Sequence, residues 1–183
     1  MQGKNKAFLK IGGSQFLDRV SDTLRKNFEE ILLVTKNPST YNPKDIKIIK
    51  DILKANSPLS GIHAGLSNMD ADYAFCIGCD TPFLMGGVVE ILANEIEPNA
   101  DVIVPYSGTY FQPLCAIYSK RCAPLIEGQL SKNDLKVDNL FSKARIKTIP
   151  YEIFQQVDEN LVSFFNVNSP EDLKYAEQLL PSL

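Results

Sequence analysis

The stretch YAFCIGCDTPFL, residues 73–84, brings two thiols and one carboxylate together. Cys76 and Cys79 form a Cys-x-x-Cys pair, and Asp80 follows the second cysteine directly. Redox pairs lie where a strand ends and a helix begins, whereas Cys76 lies inside an apolar run and Asp80 disfavours a neighbouring thiolate. A closed zinc site needs four ligands, and the sequence has no second paired spacing. The pattern therefore favours structural cysteines over redox or metal chemistry.

Asp80 lies three residues after the last apolar position of a strand that we expect to be central in its sheet. Ligands of open α/β sheets bind outside the carboxyl ends of the strands, so this carboxylate would lie at the mouth of a site. Gly78 permits close approach of backbone and ligand. A lone carboxylate suits Mg²⁺, which completes its shell with water and substrate phosphates. Asp80 is the candidate metal ligand, and the alternative is a helix cap.

Asp51 is a second carboxylate at the end of a predicted strand, separated from the run IKII by Lys50 alone. Two carboxylates at one edge favour a cation site or recognition of a nucleotide base, although a solvated charge beside Lys50 and Lys54 has the same pattern. The single histidine, His63, lies in the glycine-rich run PLSGIHAGL without an acidic partner nearby in sequence. Packing or ligand contact is therefore favoured for it over general-base catalysis.

The first residues contain the third candidate feature. Gly3, Lys4, Asn5 and Lys6 precede an apolar segment. A glycine with nearby lysines at this place resembles the outgoing half of a phosphate-binding loop, with a lysine that meets phosphate charge. Basic, polar N-termini without such a function have the same composition, so both interpretations stay open.

Alternating strands and helices must position these side chains. Apolar residues spaced by three and four predict a helix from Phe16, and Ser169 as N-cap with Pro170 after it predicts a last helix. Short apolar runs predict strands, and helical spacing predicts the other helices. The predicted strands are 31–34, 46–49, 73–77, 101–105, 112–118 and 146–150, and the other predicted helices are 59–69 and 88–96. This alternation predicts an α/β fold with a mostly parallel sheet covered on both faces, in one domain of residues 1–183.

Composition narrows the class of protein. The 183 residues, of which 44% are hydrophobic and 22% charged, suffice for one domain with a sizeable core. A net charge of -3 argues against a broad nucleic-acid surface. No apolar run approaches the roughly 20 residues of a membrane span, and the first residues lack the core of a signal peptide. We therefore expect a cytoplasmic protein, with its four cysteines reduced.

Seven blocks, in order, resemble those of the molybdenum cofactor guanylyltransferases, the MobA family. They are GKNKAFLKIGG, ILLVT, IIKD, SPLSGIHAGL, FCIGCDTPFL, FQPLCAIY and FFNVNSPEDL. The resemblance implies a Rossmann-like nucleotidyltransferase fold, similar to nucleotide-diphospho-sugar transferases, in three layers. It also implies transfer of GMP from GTP to Mo-molybdopterin with release of pyrophosphate, Mg²⁺ as cofactor, and transient contact with other proteins of cofactor biosynthesis.

The resemblance assigns roles to individual residues. Lys6 would stabilise charge on the GTP phosphates, and Asp80 would hold Mg²⁺ and the nucleotide together. Asp51 would contact the nucleotide, and Thr35 stands where the family often has an asparagine that contacts base or ribose. The two residues expected near the pterin and metal side of the cleft are Asn166 and Asn168.

The sequence also departs from the family pattern. The family opens with a buried strand and a Leu-Ala-Gly-Gly-x-Ser-Arg-Arg loop, whereas this sequence begins inside the following block. We expect a start assigned too late, or upstream residues missing, rather than a decayed copy. Asn5 replaces an aspartate, and Gln112 replaces a histidine. The alternatives are a related nucleotidyltransferase that uses CTP or a sugar-phosphate acceptor, and an inactive truncated homologue that acts as a binding partner.

Overall fold

The computed structural model describes residues 5–53 and 57–180. Gly3 and Lys4 of the predicted phosphate loop, and Lys54 beside Asp51, lie outside the described residues. The strands are β1 (Lys10–Ile11), β2 (Ser14–Gln15), β3 (Leu32–Thr35), β4 (Lys47–Lys50), β5 (Tyr73–Ile77), β6 (Val102–Tyr106), β7 (Cys115–Ser119) and β8 (Ile146–Pro150). The α-helices are α1 (Phe16–Arg25), α2 (Pro58–Asn68), α3 (Gly86–Asn94), α4 (Cys122–Leu130), α5 (Tyr151–Phe154) and α6 (Pro170–Leu179).

The largest sheet has four strands in the order β5-β7-β6-β8. β6 pairs with β8 in parallel, and β7 runs antiparallel to both β5 and β6. Residues 107–114 connect β6 to β7 and are too few for the crossover of roughly a dozen residues that parallel neighbours need. The predicted α/β class is confirmed, and the sheet is mixed because β7 enters between two strands of the opposite direction.

β3 and β4 form a separate parallel pair. Within the described residues, β5 pairs only with β7 and so lies at an edge of its sheet, which corrects its expected central place. β5 and β3 are half-buried along their lengths, whereas β7 is buried at every residue between its two neighbours. α2 contacts both β3 and β5 and so joins the two sheets by packing, and no strand among residues 5–53 and 57–180 pairs with both.

Helices cover both faces of the four-stranded sheet. On β5, Ala74 and Cys76 pack against the core under α2 and α4, which contains Leu66. Phe75 and Ile77 pack against the core under α1 and α3 on the opposite face. Successive residues of a strand point to opposite faces, so this alternation gives the predicted three layers. No helix within residues 5–53 and 57–180 is long and apolar enough to cross a membrane.

Some local structure differs from its prediction. The strand predicted over 112–118 begins only at Cys115, whose N–H donates to Gln112 O in a turn around Pro113, which has no N–H to pair. Helix α4 is not predicted from the sequence, because its run CAPLIEGQL contains proline and glycine. The β1–β2 hairpin is not predicted either; its turn places Gly12 and Gly13 at φ of 56° and 84°.

A cluster of ion pairs lies at the amino ends of β6 and β8. Asp101 is 7% exposed and accepts hydrogen bonds from Arg121 Nε at 2.8 Å and Arg145 Nε at 2.9 Å. The backbone N–H of Arg145 donates to the same carboxylate at 3.1 Å. The guanidinium groups of Arg145 and then Arg121 hold the pKa of Asp101 well below its usual range. This carboxylate is saturated by the protein itself.

Candidate functional site

Lys6, Asp80 and Asn168 come together beyond the carboxyl end of β5. Lys6 Nζ lies 2.9 Å from Asp80 Oδ2, and it also donates to Asn168 Oδ1. The side chains of Lys6 and Asp80 are 32% and 20% exposed to solvent, respectively. A ligand can therefore reach the ammonium and the carboxylate from solvent.

The turn after β5 fixes the place of Asp80. Thr81 Oγ1 donates to Gly78 O at 2.7 Å, and Val167 N donates to Asp80 O at 2.9 Å. A Cβ at residue 78 would lie 2.5 Å from Asp80 Oδ1, which is closer than real Cβ contacts come. Gly78 is therefore required for the observed position of the Asp80 carboxylate.

A short turn carries Lys6. Residues 6–8 form a 3₁₀ turn whose N-cap, Asn5, accepts from Ala7 N at 3.2 Å. Asn5 Nδ2 donates to Tyr41 OH at 2.6 Å, and the Phe8 ring stacks on Tyr41 with centroids 5.1 Å apart. Tyr41 follows β3 along the chain, so this turn bridges the loop after β3 and Asp80 after β5. The carboxyl ends of both strands consequently lie on the same side of the molecule.

The start of α6 determines which asparagine joins the site. Ser169 Oγ accepts from Asp172 N, and the Asp172 carboxylate accepts from Asn168 N and Ser169 N in a capping box. These backbone hydrogen bonds lower the pKa of Asp172. The cap leaves the Asn168 side chain to accept from Lys6, whereas Asn166 Nδ2 donates back to Phe164 O at 3.3 Å. Asn168 thus joins the Lys6–Asp80 pair, and Asn166 lies beside it without a direct bond to that pair.

A second group of polar residues lines a cleft of about 330 Å³ between β3, β4 and the start of α2. Asp51 is 9% exposed, and its N–H donates to Thr35 O at 2.9 Å, which continues the β3–β4 pairing by one residue. The predicted residues Thr35 and Asp51 therefore share one cleft. The other residues that line it are Val34, Lys36, Ser57, Pro58 and Gly61.

Two groups contact the Asp51 carboxylate, and a third polar group lines the cleft without a partner. Ser60 Oγ lies 2.8 Å from Asp51 Oδ2, and Leu53 N donates to Asp51 Oδ1 at 3.1 Å. Ser57 Oγ is shielded from solvent and has no hydrogen-bond partner among the described residues. Sequence reasoning did not single out Ser57 or Ser60 as site residues. The signal was the run SPLSG, in which serine and proline mark the start of a helix beside the cleft.

The cysteines and the histidine stand apart from this chemistry. All four cysteines are free, and burial raises the pKa of Cys76 to about 12 and that of Cys79 to about 11. The Asp80 carboxylate adds to the increase at Cys79. A thiolate is therefore disfavoured near neutral pH, as expected for structural cysteines. His63 lies within α2 and does not line the cleft.

The oxygen ligands near Asp80 fit Mg²⁺ better than a metal held by protein alone. Within the described residues, no three His, Cys, Asp or Glu side chains gather in a way that could hold a metal ion. Asp80 supplies a carboxylate, and Asn168 supplies an amide oxygen that accepts from the same Lys6 Nζ. Mg²⁺ binds to one or two carboxylates together with water and substrate phosphates. The donor set therefore suits a cation that arrives with a phosphate ligand.

Known proteins are similar in sequence to this chain over most of its length. Residues 1–146 match the family model described as the MobA-like NTP transferase domain. A molybdenum cofactor guanylyltransferase of Desulfosudis oleivorans is 37% identical over 175 residues, covering 96% of this chain and 87% of the relative. A probable molybdenum cofactor guanylyltransferase of Clostridium perfringens is 34% identical over 174 residues, covering 94% and 87% respectively.

Solved structures share the fold. The molybdopterin-guanine dinucleotide biosynthesis protein A of Archaeoglobus fulgidus superimposes with a TM-score of 0.86 at 25% identity, covering 99% of this chain and 93% of that structure. The 2-C-methyl-D-erythritol 4-phosphate cytidylyltransferase of Thermus thermophilus gives a TM-score of 0.70 at 15% identity, with coverage of 96% and 94%. The second similarity shows a nucleotidyltransferase-like fold alone.

Proposed function

This chain belongs to the MobA-like NTP transferase family, and on that basis we propose that it transfers GMP from GTP to Mo-molybdopterin. The products are molybdopterin guanine dinucleotide and pyrophosphate, and the reaction depends on Mg²⁺. The observation that carries the proposal is the contact of Lys6 with Asp80 at 2.9 Å beyond the end of β5. This pair puts one phosphate-binding cation beside one metal-binding carboxylate.

The reaction needs no covalent bond to the enzyme. A terminal phosphate oxygen of molybdopterin attacks the α-phosphorus of GTP, a new P–O bond forms, and the bridging P–O bond to the β-phosphate breaks. Pyrophosphate leaves with the electron pair of the broken bond. The work of the protein is positioning and electrostatic stabilisation, as in phosphoryl transfer generally.

Lys6 and Asp80 provide the electrostatic part. The Lys6 ammonium is a point charge on a flexible stem, so it can exchange Asp80 for the phosphates of a bound nucleotide. Mg²⁺ held by Asp80, with Asn168 nearby, would stabilise charge on the phosphate oxygens as a Lewis acid. The turn that needs Gly78 keeps the Asp80 carboxylate in place for this role.

Asp51 and Thr35 bind the nucleoside part of GTP in this proposal. Their cleft of about 330 Å³ is at the lower end of the range of small-molecule pockets, roughly 300–1,000 Å³. A buried carboxylate accepts hydrogen bonds only, so it suits a base that presents donors. Asn166 and Asn168 then face the pterin side, beyond Asp80.

Three broader parts of the proposal concern the whole chain. Residues 1–183 act as one nucleotidyltransferase domain, since the two largest cores lie on opposite faces of one sheet. The four free cysteines suit the reducing cytoplasm as the place of action. Contacts with other proteins of cofactor biosynthesis are transient.

Nucleotide preference tests the guanylyl assignment. Isothermal titration of the wild type with GTP or CTP, each with MgCl₂, should give much tighter binding of GTP. Asp80→Asn should remove the Mg²⁺-dependent part of GTP binding, whereas the control Asp70→Asn, at an exposed aspartate after α2, should leave it unchanged. Tighter binding of CTP by the wild type would overturn the assignment in favour of a cytidylyltransferase.

A further inference from the structure

Ser60 is a buried polar residue to which the proposed reaction assigns no role. It is the third residue of α2 and has no exposed surface. Its Oγ lies 2.8 Å from Asp51 Oδ2 and 2.8 Å from the carbonyl oxygen of Ser57. A hydroxyl has one proton, and a carboxylate is the stronger acceptor of the two. The Ser60 proton is therefore directed to Asp51.

The carboxylate of Asp51 is held at both oxygens. Ser60 donates to Oδ2 from the helix, and Leu53 N donates to Oδ1 from the loop after β4. Two donors on different oxygens fix the plane of the carboxylate about its last side-chain bond. An ionised carboxylate has about four acceptor positions, so two donors leave further lone pairs for a ligand in the cleft.

A carboxylate with a fixed plane can distinguish nucleotide bases. The Watson–Crick edge of guanine presents two adjacent donors, N1–H and the N2 amino group, which match the two oxygens of a carboxylate as an arginine fork does. Adenine and cytosine present an acceptor beside a donor at that edge, so one carboxylate oxygen would face a lone pair. Sites built around buried hydrogen bonds reject analogues that leave a group unpaired.

A second observation indicates that the cleft receives a polar ligand. Ser57 Oγ lines the same cleft, is shielded from solvent, and has no partner among the described residues. Buried polar atoms in proteins are nearly always hydrogen-bonded, so an unpaired hydroxyl in a cleft points to a partner from the ligand. The cleft thus combines an acceptor of fixed orientation with a free hydroxyl.

We infer that Ser60 is a positioning residue that orients Asp51 to read the donor edge of guanine. The inference rests on the proposed function, since it assigns guanine to the cleft. Ser60 contacts Asp51 and not the base, so it acts on the base only through Asp51. Its loss should change which base is bound more than it changes the stability of the fold.

Inosine triphosphate gives a selective test, because inosine differs from guanosine only in the missing N2 amino group. The dissociation constants of GTP, ITP and 2′-deoxy-GTP with Mg²⁺ are measured by titration of the full chain. The wild type should prefer GTP to ITP by about tenfold or more, as expected for a hydrogen bond to a charged group. Ser60→Ala should reduce that ratio to about threefold or less and leave the ratio of GTP to 2′-deoxy-GTP unchanged.

Two further variants separate positioning from folding. Ser60→Cys keeps the size of the side chain and a weak donor, so its GTP-to-ITP ratio should lie between those of the wild type and Ser60→Ala. Ser163→Ala removes another fully buried hydroxyl, one that contacts Met85 N and Phe83 O, and should keep the wild-type ratio.

The outcomes separate this inference from the proposed function. Absence of GTP binding by the wild type would overturn both. GTP binding with an unchanged GTP-to-ITP ratio in Ser60→Ala and Ser60→Cys would overturn the inference alone. A loss of preference against 2′-deoxy-GTP instead would assign Asp51 to the ribose and would also overturn it.

Discussion

Asp80 lies beyond the carboxyl end of β5, and Asp101 lies at the opposite end of the four-stranded sheet, just before β6. The two carboxylates contact positive charge in different ways. Asp101 receives bonds from Arg121, Arg145 and a backbone N–H, and its pKa is held well below the usual range. Asp80 has one charged partner, Lys6, which it shares with Asn168. A carboxylate saturated by the protein can only stabilise the fold, whereas one with free capacity can bind a ligand.

Asp51 lies between these two extremes. It is nearly as buried as Asp101, but its two donors are a serine hydroxyl and one backbone N–H rather than arginines. Burial alone therefore does not distinguish Asp51 from Asp101. We propose that the number and charge of the donors separate structural from functional aspartates, and the following predictions test that distinction.

The largest effect is expected at Lys6. Lys6→Met removes the charge that faces Asp80 and, in our account, the phosphates, so the rate of GMP transfer should fall by about 100-fold or more. Single-turnover release of pyrophosphate measures it. Lys10→Met, at an exposed lysine of β1, is the matched control and should keep the wild-type rate. Equal rates for the two variants would contradict a role for Lys6 in transfer.

A substitution of Asp101 should lower the stability of the fold and leave the rate of GMP transfer nearly unchanged. Asp101→Asn weakens charge-assisted hydrogen bonds and should lower the free energy of unfolding by about 2 kcal/mol. For a chain of this length the melting temperature should fall by about 4–8 °C. The rate of GMP transfer at a temperature well below melting should stay within about twofold of the wild type. A large loss of rate in the folded Asp101→Asn variant would contradict the distinction between Asp80 and Asp101.

Gly78 connects the backbone of β5 to the Asp80 carboxylate. Gly78→Ala puts a Cβ 2.5 Å from Asp80 Oδ1, so the carboxylate must move, and we expect the rate to fall by about tenfold. Gly128→Ala in α4 is the control, because an added Cβ there meets nothing within 4 Å. Single-turnover assays of both variants make the comparison. A normal rate for Gly78→Ala would mean that the position of Asp80 is not critical.

The smallest effect is expected in how the free energy of unfolding depends on pH. Because the folded pKa of Asp101 is depressed, the stability it contributes is present above the unfolded pKa of about 3.9 and is lost as the pH falls towards the folded pKa. The difference in unfolding free energy between the wild type and Asp101→Asn should therefore be constant from pH 5 to 8 and shrink below about pH 4. Urea unfolding at pH 7 and pH 3 measures it. A difference that grows on acidification would contradict the sign of this linkage.

The sequence alone singles out Asp51 and Asp80 as candidate site residues because their signal is local. Asp51 and Asp80 each follow an apolar run, and side chains after a strand lie at the edge where α/β proteins bind ligands. The family resemblance added Lys6 at the GTP phosphates and Asn166 and Asn168 at the pterin and metal side, and the structure joins Lys6 to Asn168. Saturation of Asp101 could not be predicted, because its arginines follow it by 20 and 44 residues along the chain.

Other features depend on tertiary placement in the same way. The bond from Ser60 to Asp51 spans nine residues and needs the start of α2 to lie against the end of β4. Asn166 and Asn168 lie two residues apart, and the start of α6 gives them different partners: Asn168 accepts from Lys6, whereas Asn166 donates to Phe164 O. The direction of β7 and the edge position of β5 follow from connections and neighbours that a single strand does not encode.

The central claim is that Asp80 serves the reaction and Asp101 serves the fold. The most direct test measures pyrophosphate release in a single turnover with GTP, Mg²⁺ and Mo-molybdopterin for Asp80→Asn and Asp101→Asn, with thermal unfolding of both. Our account predicts a loss of rate of about 100-fold or more for Asp80→Asn with a nearly unchanged melting temperature. For Asp101→Asn it predicts a nearly unchanged rate and a lower melting temperature. A wild-type rate in the folded Asp80→Asn protein would contradict it.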